Sequence, residues 1–150
     1  MTTIEITKQS IILQVLRLSS FEARDAYDTS GSSLFDKVRI ADADMPLIED
    51  YLNIASDHFV EAMGEAIDNV KHGFNTNLVE FDIPNKRYQT RQKTDVERNI
   101  IEIISAHVMS LWLSSRLPDR VSFYTELRDS MTVFAKSKLY AKQAPTFPEE

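Results

Sequence analysis

The chain has no cysteine, only three glycines and five prolines in 150 residues, and nowhere 18 apolar residues in succession. Each shortage removes a class of protein. Without thiols there is no disulfide framework, no thiolate nucleophile and no zinc site of the usual thiolate kind. The glycines stand alone at positions 31, 64 and 73, so no P-loop, G-x-G-x-x-G or G-x-S-x-G motif can be assembled. The N-terminus lacks a basic segment followed by an apolar run, because Glu5, Lys8 and Gln9 interrupt it early. The chain therefore reads as neither exported by a signal peptide nor membrane-spanning.

Few helix breakers and apolar residues recurring at three and four point to an all-α chain of one domain. A first helix is expected after Thr7, with Ile11, Ile12, Val15, Leu16 and Leu18 apolar, fading between Arg24 and Tyr27. The turn-rich stretch DTSGSSLFDK (residues 28–37) reads as an ordered loop pinned by Leu34 and Phe35. Asp42, Asp44 and Pro46 then open a long helix whose apolar rhythm runs from Leu47 to Val70, with Gly64 as an interruption and Lys71, His72 and Gly73 as its end. Inside that helix Gly64 costs about 1 kcal/mol against Ala.

LVEFDI (residues 78–83) changes the period to two, PNK reads as a turn and RYQTRQ as the returning strand of a small hairpin. Thr94 and Glu97 form a capping-box pattern before a helix expected to stop at Leu117, ahead of Pro118. Asp119 is expected to cap a last amphipathic helix running to Leu139. The expected architecture is an all-α bundle of three long helices plus an N-terminal helix, with a small β-hairpin inserted between the second and third helices of the chain. Residues 1–144 form the domain and residues 145–150 a flexible arm anchored only by Phe147.

The stretch NIIEIISAHVMSLWLSSRL (residues 99–117) has apolar residues around more than one face of its helix. Helices on two sides can cover its main stripe. Met109 and Leu113 are left for the hairpin, the N-terminal helix or another subunit. Charge is also unevenly placed: residues 1–83 hold 15 acidic against 6 basic residues, and residues 84–150 hold 8 against 11. Two solvated faces explain this, and so does a head-to-tail contact between the acidic half of one subunit and the basic half of the next.

Residues that could carry chemistry are sparse. Asp68 and His72, read as four apart on a helix, could both touch a cation but form an incomplete ligand set. Asp57 and His58 are adjacent and so point to different sides of the helix, His107 reads as a satisfied interior or interface imidazole, and Trp112 as core. The basic cluster Lys86, Arg87, Arg91 and Lys93 around Tyr88 is either a hairpin tip or the makings of a phosphate-tracking loop. No catalytic residue, metal ligand or cofactor site is assigned, and the chain is not expected to be an enzyme.

The order ITKQSIILQVLRLSSFEARD, then DTSGSSLFDKVRIADADMPLIEDYLNIASDHFVEAM, a hairpin, and RNIIEIISAHVMSLWLSSRLPDRVSFYTELRDSMTVFAKSKLYAK resembles the small helical head–tail connector (adaptor) proteins of long-tailed phages, in the version carried by phages and prophages of Bacteroides-type bacteria. The resemblance covers residues 5 to about 145. It implies a structural virion protein, assembled in the bacterial cytoplasm, whose copies form a ring in the neck below the portal. Its partners would be further copies, the portal and neighbouring neck or tail proteins, with DNA passing nearby and no membrane. On this reading Lys86, Arg87, Tyr88, Arg91, Lys93, Met109, Leu113 and Phe147 are the expected interface residues. The alternative is a cytoplasmic helical interaction module that engages a partner through the same surface, or another tail or neck structural protein, in either case without catalytic activity.

Overall fold

The structure, a computed structural model, describes residues 2–74, 77–84 and 93–140. It is a mostly helical protein with one small sheet, in the order β1 (Thr2–Thr7), α1 (Lys8–Arg24), the single turn α2 (Phe35–Val38), α3 (Met45–Met63), β2 (Asp68–Phe74), β3 (Asn77–Ile83), α4 (Lys93–Leu113) and α5 (Val121–Tyr140). The three strands form one antiparallel sheet in the order β1-β3-β2.

This corrects the expected all-α bundle. TTIEIT alternates buried Ile4 and Ile6 with exposed Thr3 and Glu5, and it pairs with β3 at Ile4↔Phe81 and Ile6↔Val79. Both edges of β3 are occupied, one by β1 and one by β2, so LVEFDI has no edge left for RYQTRQ, and the expected hairpin partner is replaced by DNVKHGF. RYQTRQ itself and the arm 145–150 lie outside the described residues. Asp82 ties the two edges: its carboxylate accepts from Thr3 Oγ1 at 2.6 Å and from Asn69 Nδ2 at 2.9 Å. Those bonds, Thr3 first, hold its carboxyl below the usual range.

The long helix expected to reach Val70 stops at Met63. Gly64 adopts φ 51°, ψ −122°, its N–H bonds back to the Val60 carbonyl, and Lys136 Nζ from α5 donates to the Ala62 carbonyl at 3.1 Å. A cation on the last carbonyls suits the negative end of the helix dipole. The start lies where Pro46 places it, with the proline in the first turn, but the aspartates do not cap it as expected: Asp44 makes no side-chain bond to the N–H groups of α3 and instead accepts from the preceding Ala41 N–H at 2.8 Å. Helix α1 begins after Thr7 as expected, and Thr7 caps it by accepting from the Ser10 N–H. Helix α4 ends at Leu113, one turn before Pro118, and Asp119 sits in a 3₁₀ turn (Pro118–Arg120) that leads into α5.

The oily helix is the centre of the molecule. Ile100, Ile103, Ile104, Val108, Met109, Trp112 and Leu113 are all buried, covered by α1, α3 and α5 and by the inner face of the sheet through β1. At about 1.5–3 kcal/mol for each large side chain removed from water, this one helix anchors much of the core. Phe59 of α3 meets Phe81 of β3 with ring centroids 6.0 Å apart. The loop before α3 is pinned where Trp112 Nε1 donates to the Val38 carbonyl at 2.6 Å and the Ile40 N–H donates to Ser19 Oγ.

Gly64 provides a direct test of this architecture. No atom lies within 4 Å of where a Cβ would stand, so Gly64→Ala adds only backbone strain at positive φ. Urea denaturation should show a loss of about 1–2 kcal/mol. A gain in stability would instead mean that the residue sits inside a continuous helix.

Candidate functional site

The most concentrated polar chemistry lies where the end of α1 meets the start of α5. Glu22 projects from the last turns of α1, and its side chain is only 6% exposed. Arg120 grips it with both prongs, Nε to Oε2 and Nη2 to Oε1 at 3.0 Å each, and the Tyr124 hydroxyl donates to Oε1 at 2.8 Å. Arg120 and Tyr124 are four apart, which brings the 3₁₀ turn and the first turn of α5 onto one carboxylate. Burial, reinforced by the bond to Glu22, pushes the Tyr124 hydroxyl well above the ordinary phenol range. The bond to Glu22 likewise raises the Arg120 guanidinium further. With three donors already on its oxygens, Glu22 acts as a clamp between two ends of the chain.

Beside this clamp is a cleft of about 340 Å³ lined by Phe21, Glu22, Asp25, Ala26, Tyr27, Leu117, Asp119 and Arg120. Its rings stand in solvent: Phe21 is 61% and Tyr27 60% exposed, with Phe123 (47%) next to it under the Arg120 guanidinium at 4.4 Å. Tyr27 is placed by a backbone bridge to Ser33, and the turn between them is closed by Asp28, which accepts from the Ser30 and Ser32 N–H groups. Asp25 and Asp119 are exposed, and neither has an ion-pair partner among the described residues.

The residues singled out from sequence are dispersed. Lys86, Arg87, Tyr88, Arg91 and Phe147 lie outside the described residues. Lys93 begins α4 and faces Glu97 at 3.9 Å. Met109 and Leu113 are fully buried within the chain and offer no surface to another copy. Asp68 and His72 lie on a strand, where four residues span about 13 Å, so they cannot share a cation. His72 pairs with Asp57 of α3 instead, Nδ1 to Oδ1 at 2.8 Å. Among the described residues no cluster of three His, Asp or Glu could hold a metal ion. No helix among them is long and apolar enough to cross a membrane.

Trp112 is core, as read. His107 is interior and 7% exposed, but Nδ1 has no hydrogen-bond partner, so the imidazole is less satisfied than expected. His58 of α3 meets it edge to face at 4.9 Å. Burial, with the charges of Arg128 and His58 in the same direction, lowers His107 to about 4. Glu22, Arg120 and Tyr124 escaped sequence reading because the clamp joins positions about a hundred apart. The only local trace is the R-x-x-x-Y spacing. No protein-family model, no curated protein and no solved structure matches the chain.

Two measurements follow from this geometry. Glu22→Gln should cost about 2–4 kcal/mol and Tyr124→Phe about 1–2, and the double variant should lose clearly less than their sum, because both changes break one network. Strict additivity in urea melts would mean that the three groups do not act together. For His107 the folded state refuses a proton that the unfolded chain takes up below about pH 6.5. Its contribution is therefore intact above that pH and lost progressively toward about pH 4, by at most about 3 kcal/mol. His107→Gln should flatten stability against pH in this window. An unchanged slope would place the acid sensitivity elsewhere.

Proposed function

We propose that this protein is a structural assembly subunit that works through its surface, and that the assembly is the ring of a phage neck, joining portal to tail. The observation that carries this is the set of large apolar side chains left outside a core that is otherwise closed. Phe21 and Tyr27 stand at the end of α1, and Phe123, Val133, Phe134 and Tyr140 lie along the outer side of α5. Aromatic side chains in water are the usual material of protein contacts. The family resemblance supplies the specific assembly, and the uneven charge of the two halves of the sequence suits a head-to-tail contact, the kind that closes into rings. A single partner seated on the Val133, Phe134 and Tyr140 side of α5 is the second reading, since that stripe could serve one binding event as well as a ring.

Mass spectrometry of purified, tail-bearing particles from the phage or induced prophage should recover the protein in multiple copies per particle. Electron microscopy of those particles should place it in the neck. Particles that are complete yet lack it would reject the neck assignment, and pulldown of one host or phage enzyme in a stable one-to-one complex would favour the second reading.

A further inference from the structure

The cleft at the end of α1 combines exposed rings with carboxylates that have no ion-pair partner among the described residues, and these features select one kind of occupant. The Glu22 and Arg120 charges cancel within the clamp, so the cleft presents Asp25 and Asp119 beside Phe21 and Tyr27. Carboxylates flanked by aromatic faces suit guanidinium and ammonium groups, which pair with the former and stack on the latter. The sequence holds one concentrated supply of such groups. Between Asp82 and Asp95 there is no acidic residue, while Lys86, Arg87, Arg91 and Lys93 crowd around Tyr88.

That segment is tethered far from the cleft of its own chain. It leads directly into Lys93 at the start of α4, whereas Leu117, just past the other end of α4, lines the cleft. The intervening 21 residues of helix hold the two about 30 Å apart. A cationic segment at one end and an acidic aromatic cleft at the other are what a repeating head-to-tail contact requires. The C-terminal stretch after Tyr140 has the wrong charge, with Glu149 and Glu150 against Lys142.

We infer that the cleft formed by Phe21, Asp25, Tyr27 and Asp119 receives the basic segment 84–92 of a second copy of this chain, through Lys86, Arg87 and Arg91. This rests on the ring reading and names its contact. Lys93 is left out because it already faces Glu97 on its own helix.

The test is charge exchange, followed by light scattering after size-exclusion chromatography and by sedimentation. The native chain should associate at micromolar to millimolar concentration and disperse in 1 M salt, where screening reaches about 3 Å. Asp25→Lys with Asp119→Lys should weaken association at least tenfold, and so should Lys86→Glu with Arg87→Glu and Arg91→Glu. An equimolar mixture of the two variants, or one chain carrying all five changes, should associate again. That recovery also guards against misfolding as the cause of the loss.

Association insensitive to every reversal would overturn the inference and leave the ring standing on another surface. A native chain that stays monomeric, or whose cleft captures an unrelated basic peptide while copies ignore each other, would overturn it too. The particle measurements then decide separately whether the neck assignment survives.

Discussion

A helix that is apolar around most of its circumference has to be surrounded, and the positions of the other elements follow from surrounding α4. Three helices alone would leave part of the wide stripe from Ile100 to Leu113 facing water. The inner face of the sheet, reached through β1, closes that gap. The sheet is thus part of the solution to the burial problem that the amino-acid sequence poses. It also explains why Thr2–Thr7 matter: without β1 the central strand β3 would have an open edge and α4 would lose a cover.

Packing this complete changes where the surplus oil lies. Met109 and Leu113, which face away from the main stripe, are absorbed inside the chain. The uncovered apolar area sits instead on the outermost elements, at the end of α1 and along α5, whose inner sides are already committed to α4. Any partner therefore meets the periphery of the fold and need not disturb its centre. A chain packed in this way can fold before it meets any partner.

The helices that bury one face were legible in the sequence because their periodicity is local. Thr7 and Pro46 marked two starts correctly, and the breadth of apolar character between residues 99 and 113 identified the central element. The failures share one cause. Ala66, Ile67 and Val70 fit a helical spacing as well as they fit a turn and a strand, and the choice is made by Gly64 at positive φ and by a β3 edge to pair with. TTIEIT is six residues long and its partner lies more than 70 positions away, so its alternation gains meaning only once β3 is in place. The clamp was hidden for the same reason: Glu22 looks like one more surface carboxylate until Arg120 and Tyr124 are folded onto it.

That clamp gives the adjacent cleft a property that a collection of surface side chains would lack. Glu22 is fixed by three donors, Arg120 is held over Phe123, and Tyr27 is tied back to Ser33, so the walls are positioned before anything binds. Binding to a prepared surface avoids much of the entropy that flexible side chains lose on contact. Neutralising Arg120 within the wall also matters, because an unpaired guanidinium there would repel the basic groups that Asp25 and Asp119 attract. The half-buried ion pair is thus doubly useful. Its stabilising effect on the fold is modest once desolvation is counted, but it keeps the rim rigid and leaves the cleft with net negative charge.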